Sequence, residues 1–171
     1  MRTAETAAGR ADGLELRLAW RRGDSAIEAD TVAFWNRLGI LPGGVAPEAR
    51  VKELAAAAYR DGKLVGVTTV VPTRLDFLRA RFAVLRGSVD PAYRRGGAAT
   101  ELAIFTRDLI EAWAAEHPEE RIAGLAAVLE SPDLIARQKQ LYWPRTRLGL
   151  VGFTPQGRQI RVAWFPHFRL D

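Results

Sequence analysis

The chain has 171 residues, a length that one hydrophobic core can serve. Its 48% hydrophobic and 26% charged residues exclude disorder over most of the length. The net charge is +5, carried by 25 Lys plus Arg against 20 Asp plus Glu, but only Lys52, Lys63 and Lys139 are lysines. That bias toward Arg, with abundant Ala, is what a GC-rich genome produces and by itself does not single out nucleic acid.

Residues 1–13 are small and polar and read as a loose tail. Leu14–Trp20 (LELRLAW) alternates apolar and polar, the pattern of a half-buried strand. Asp24 or Ser25 can cap a following helix, with Ser25 and Glu28 at capping-box spacing. Ile27, Thr31, Phe34, Trp35 and Leu38 share one side of that helix, which ends near Gly39. Leu41–Pro47 is a loop, and Pro47 opens a short second helix. AAAAYR, Asp61-Gly62 and KLVGVTTVVP spell a hairpin, because Asp-Gly supplies positive φ for a tight turn. A further strand is predicted over Arg81–Val89. A loop, DPAYRRGG, then leads to a long helix from about Ala98 to Glu116, with Leu102, Phe105, Leu109 and Trp113 as its apolar stripe. Ile122–Leu129 is an almost continuous apolar run, the signature of a strand buried on both faces. Pro132 starts a fourth helix expected to reach Tyr142, and LGLVGF–TPQG–RQIRVAWF closes the chain as a hairpin. The expected order is β-α-α-β-β-β-α-β-α-β-β: a single α/β (α+β) domain over residues 14–171, with helices flanking a mixed sheet.

The absence of Cys excludes disulfides, thiolate metal sites and Cys nucleophiles. His117 and His167 stand too far apart to suggest a metal centre, and no metal is expected. No apolar run approaches the roughly 20 residues that cross a bilayer, and the N-terminus lacks a signal peptide's apolar segment. No membrane partner is therefore expected, and a cytoplasmic location is.

The chemistry concentrates in Val89-Asp90-Pro91-Ala92-Tyr93-Arg94-Arg95-Gly96-Gly97-Ala98-Ala99-Thr100, which joins a strand to a helix start. A helix N-terminus offers unpaired N–H groups and partial positive charge, hence an anion site. Gly96 and Gly97 let a phosphate approach the backbone, Ala98 and Ala99 keep the first turn small, and Arg94 and Arg95 can add charge-assisted hydrogen bonds. A diphosphate suits such a loop. The plainer alternative is a connection whose glycines serve the turn and whose arginines serve solvent. Neither a Walker loop nor a GxGxxG fingerprint is present.

The run resembles the phosphate-binding motif of the GNAT family of N-acetyltransferases, a V-x-P strand end followed by Arg/Gln-x-x-Gly-x-Gly/Ala. Val89-x-Pro91 and Arg94-x-x-Gly97-x-Ala99 match it. YRDGKLVGV before the motif and the element order after it extend the likeness over residues 14–165, with a mostly antiparallel sheet as the implied fold. The resemblance implies an acetyl-CoA co-substrate. Backbone near Ser88 and Val89 would pair with the pantetheine arm, and the amides of Arg95, Gly96, Gly97, Ala98, Ala99 and Thr100 would hold the pyrophosphate. It further implies direct attack of an amine on the thioester, which suits a chain with no Cys and no evident Ser-His-Asp set.

The resemblance makes Tyr142 the candidate general acid for the departing thiolate. Gly152-Phe153, however, follows ten and eleven residues later, farther than the family's usual spacing, and an amphipathic anchor at a helix end is an equal reading of Tyr142. The strand Arg81–Val89 carries no carboxylate, which leaves Glu130 and Asp76 as the nearest candidate bases. Each is also readable as an ordinary surface acid. Phe34, Trp35, Trp143, Trp164 and Phe165 could line an acceptor pocket or belong to the core, and for Phe34 and Trp35 the core is the better reading.

The leading expectation is an acetyl-CoA-dependent N-acetyltransferase acting on a small-molecule or peptide amine, as a monomer or homodimer. One alternative keeps the fold with a longer or specialised acyl-CoA donor. Another, a lesser reading, is a non-catalytic module for an acidic partner such as nucleic acid. It rests on residues 134–170, which hold seven basic residues and no Asp or Glu.

Overall fold

The computed structural model describes residues 9–11 and 13–170. The strands are β1 (Gly9–Ala11), β2 (Leu14–Leu18), β3 (Leu54–Arg60), β4 (Lys63–Leu75), β5 (Ala80–Val89), β6 (Ile122–Val128), β7 (Tyr142–Trp143), β8 (Leu148–Phe153) and β9 (Gln159–Trp164). The helices are α1 (Ser25–Leu38), α2 (Pro47–Arg50), α3 (Ala98–Glu116) and α4 (Pro132–Arg137). The strands hydrogen-bond in the order β1-β2-β3-β4-β5-β6-β9-β8-β7. Antiparallel pairs dominate, while β5 and β6 run parallel. This is the mixed, mostly antiparallel sheet that the sequence led us to expect. Most of the tail predicted over residues 1–13 lies outside the described residues, but Gly9–Ala11 within it pairs with β2.

The described residues fall into two units. The first runs up to Val70 and adds Gly87–Thr106; the second comprises Val71–Arg86 and the described residues from Arg107 onward.

In the first unit, Asp61 and Gly62 both take positive φ, 50° and 74°, so the Asp-Gly turn folds β3 onto β4 as its chemistry requires. Asp24, rather than Ser25, caps α1, accepting from the N–H groups of Ala26 and Ile27. Gly39 ends α1 in the left-handed region. Ile27, Phe34 and Trp35 pack with Val51, Leu54 and Val67 in one apolar cluster. A second cluster joins Leu14, Leu16, Ala56, Ala58 and Val65 to Ala98 and Leu102 of α3. Gly66 is needed where β4 passes α3, because a Cβ there would lie 2.9 Å from a Leu102 methyl and 3.2 Å from the Ser88 carbonyl. Thr106 is fully buried although polar: its hydroxyl shares a 2.7 Å hydrogen bond with Thr68, which removes the cost of placing it inside.

In the second unit, Ala80, Phe82, Ala123, Ala126 and Val162 form the core. β6 is buried along nearly its whole length, as its apolar run predicts. Gly124 allows β9 to approach, since a Cβ there would sit 2.2 Å from the carbonyl oxygen of Ala163. The fourth helix departs from expectation. α4 stops at Arg137 instead of reaching Tyr142, which lies on β7 opposite Gly149. The carbonyls of Gln140 and Leu141 are turned to other donors: Arg161 takes both, at 2.7 and 3.4 Å, and the N–H of Leu150 also takes Leu141, at 2.8 Å. The helix ends because Gln138 leaves the helical region, at φ −104° and ψ 75°, and Tyr142 and Trp143 are extended to pair with β8.

Candidate active site

The candidate diphosphate loop is built in the first unit from Asp90 outward. Val89 ends β5, and the N–H of Asp90 donates to the Val65 carbonyl at 2.8 Å, fixing where the loop leaves the sheet. The Asp90 carboxylate caps the 3-10 turn Pro91–Gly96, with one oxygen accepting from the N–H of Ala92 at 3.0 Å. Its other oxygen accepts from Arg37 at 3.0 Å. The bond from Ala92, and then Arg37, hold the Asp90 carboxyl below the usual carboxylate range, against the opposing effect of burial. Gly97 links the 3-10 turn to α3 with φ 75°, a conformation that costs a side-chain-bearing residue about 1–2 kcal/mol. The first bond of α3 runs from the N–H of Glu101 to the Gly97 carbonyl at 3.0 Å. The amides of Ala98, Ala99 and Thr100 thus occupy the turn whose N–H groups have no partner within the helix.

The space before this turn is open. A Cβ built on Gly96 or Gly97 meets nothing within 4 Å, so an anion can reach the backbone. Ala98 points inward and is buried, Ala99 is exposed and Thr100 half-buried. Arg94 and Arg95 are exposed, and the Arg94 Nε donates to the Val89 carbonyl at 3.3 Å. Ser88 and Val89 are half-buried on β5. The parallel ladder to β6 runs from Arg81↔Ile122 to Leu85↔Ala127, and β5 continues to Val89 beyond its last pair.

The proton-transfer candidates lie in the second unit. Tyr142 is 53% exposed and is held on both flanks by one side chain. Arg161 bonds the two carbonyls that precede Tyr142 and stacks its guanidinium 3.9 Å over the Trp143 ring that follows. Arg161 itself is 1% exposed, and burial pulls its pKa down. It remains the charged core of this corner, since a guanidinium is not deprotonated in proteins. Glu130 lies just beyond β6, exposed, and accepts from Arg158 at 3.2 Å. Asp76 is exposed and paired with Arg74 at 3.0 Å. His117 stacks on Trp113 and shares a 2.8 Å hydrogen bond with its carbonyl, while His167 stacks on Phe165. Phe34, Trp35 and Phe165 are core; Trp164 is exposed on one side and meets the Phe82 ring edge-on at 4.9 Å.

Part of the charge in the acid-free stretch after Asp133 is paired or buried. Arg147 pairs with Glu111, Arg158 with Glu130 and Arg137 with Asp133, and Arg161 is buried. A basic surface for nucleic acid needs exposed cations along a groove; the buried Arg161 supplies none, while Arg137 and Arg158 stay exposed. Among the described residues no helix is long and apolar enough to cross a membrane, and no group of three or more His, Asp or Glu is placed to hold a metal.

Two contributors were not identified from the sequence. Asp90 was readable as a cap from its place before Pro91. Arg37 was not, because it stands 53 residues from its partner.

No family model matches this sequence, and no curated protein matches it. The fold has many counterparts. The ribosomal-protein-S5-alanine acetyltransferase of Vibrio fischeri superposes with a TM-score of 0.60 at 12% identity, covering 95% of this chain and 99% of that one. A GNAT-family acetyltransferase of Streptococcus pneumoniae gives 0.57 at 13%, covering 87% and 96%. A putative acetyltransferase of Salmonella typhimurium, solved with its cofactor acetyl-CoA, gives 0.53 at 15%, covering 90% and 93%. From the cap at Asp90 to the antiparallel closing strands, the chain has the fold of the GNAT acetyltransferases.

Proposed function

We propose that the protein is an acyl-CoA-dependent N-acyltransferase that moves an acetyl group from acetyl-CoA to an amine by direct attack. The observation that carries this reading is the loop itself: a turn capped by the buried Asp90, a left-handed Gly97 and open space before the first amides of α3. A fold neighbour solved with acetyl-CoA supports the choice of donor.

The thioester supplies an activated carbonyl and a thiolate leaving group. The amides from Arg95 to Thr100 bind the diphosphate, aided by the exposed Arg94 and Arg95, and so orient the rest of the donor. The backbone of Ser88 and Val89, at the end of β5 past its ladder with β6, receives the pantetheine arm. A backbone N–H of that strand polarises the carbonyl under attack. Tyr142 is the proposed acid that returns a proton to the departing sulfur, on a segment fixed by Arg161. Glu130 is the candidate base, and it must leave Arg158 to serve. The acceptor is a small-molecule or peptide amine.

The test is a thermal shift with acetyl-CoA, followed by release of free thiol in the presence of a panel of amines. A rise in melting temperature and amine-dependent thiol release are expected. No shift at millimolar acetyl-CoA overturns the reading.

A further inference from the structure

Arg37 lies in the last turn of α1, remote in sequence from the loop it touches. Its guanidinium stands 5.8 Å over the ring of Phe34, a buried residue one turn earlier. A helix C-terminus also favours a cation electrostatically. From that anchored position it meets Asp90 at 3.0 Å.

Asp90 is 5% exposed, and each of its polar groups fixes part of the turn. The N–H holds Val65, the carbonyl accepts from the N–H of Tyr93 at 2.8 Å, and one carboxylate oxygen caps Ala92. The remaining oxygen faces Arg37. A buried carboxylate without a cation is costly, and a free one beside an anion site would also repel the anion. Arg37 answers both problems from a different element.

We propose that Arg37 is a positioning residue for the diphosphate loop: by pairing with Asp90 it locks the turn that aims the Arg95–Thr100 amides and cancels the one carboxylate at the turn's start. This rests on the acyl-CoA reading given above. Arg37 touches no substrate atom in this role; it acts through Asp90.

CoA affinity measured by calorimetry, with the melting temperature of each unliganded variant alongside, tests the assignment. Arg37→Gln is expected to weaken CoA binding about tenfold, and Arg37→Lys to restore most of that loss because it keeps the charge. On an Asp90→Asn background, which retains the capping oxygen, Arg37→Gln should cost no more than about twofold, since the pair no longer exists to be broken. Arg37→Met provides a second charge-free variant if the Gln protein does not fold. Wild-type affinity in the charge-free variants, or an equal loss on the Asp90→Asn background, overturns the assignment while leaving the acyl-CoA reading intact. Failure of the wild type to bind CoA overturns both.

Discussion

The loop from Val89 to Thr100 and the segment from Gln138 to Trp143 are both short, irregular and charged nearby, but they are organised differently. The first takes its shape mainly from neighbours in sequence: Asp90 caps Ala92, Pro91 starts the turn and Gly97 reverses it into α3. The second is held by one distant side chain, Arg161, which donates to two of its carbonyls and stacks on Trp143. A loop held by local geometry presents its backbone to a ligand. A segment held by a buried cation presents a side chain, here Tyr142. Substitutions in the first should therefore change binding more than stability, and substitutions at the clamp of the second should do the reverse.

The largest effect tests the first half of that contrast. Gly97→Asp puts both a strained φ and a negative charge where the diphosphate is expected. It should abolish the acetyl-CoA thermal shift, an affinity loss of about a hundredfold or more, while the unliganded protein melts within a few degrees of the wild type. A preserved shift would break the comparison at its strongest point.

Next comes Tyr142→Phe, which should lower kcat by roughly a hundredfold with CoA affinity unchanged, read by steady-state kinetics and calorimetry. Equal kcat would return Tyr142 to an ordinary surface aromatic. Arg161→Ala should instead lower stability by about 2–3 kcal/mol, or roughly 4–12 °C in melting temperature, because it leaves a cavity where the buried side chain packs on Trp143 and removes its bonds to the Gln140 and Leu141 carbonyls. CoA affinity should barely move; a large affinity loss with little melting change would reverse the proposed division of labour.

Acid titration separates the regions more finely. The Asp90 carboxyl is depressed in the folded protein by the Ala92 N–H and Arg37. Its contribution is therefore present above the unfolded carboxylate value of about 4 and is lost as pH falls through the lower folded value. CoA binding should hold from neutral pH to about pH 4 and weaken below it, and Asp90→Asn should flatten that acid limb. The smallest expected effect is on stability in Glu130→Gln: breaking its exposed pair with Arg158 should change stability by less than about 1 kcal/mol, as measured by chemical denaturation.

Much of the framework was legible in the sequence because its determinants are local. The Asp61-Gly62 turn, the span of α3, the buried strand at Ile122–Val128 and the glycine-ended turn before α3 each follow from residues within a few positions of one another. The interior line of α3 was harder to read. The sequence pattern favours Leu102, Phe105, Leu109 and Trp113, whereas Ala98, Leu102, Thr106, Arg107, Ile110 and Ala114 are the buried positions. Thr106 is acceptable there only because Thr68 satisfies its hydroxyl.

The sequence by itself determined where the chain turns, which strands are apolar and where a glycine-rich turn meets a helix start, since each depends on backbone freedom, alternation or capping over short spans. Only the tertiary structure decided that α4 ends six residues in, that Arg161 is interior rather than part of a basic surface, and that Arg37 reaches Asp90. Those outcomes depend on which distant strand or charged group each segment pairs with. That pairing has no periodicity, and a linear pattern does not carry it.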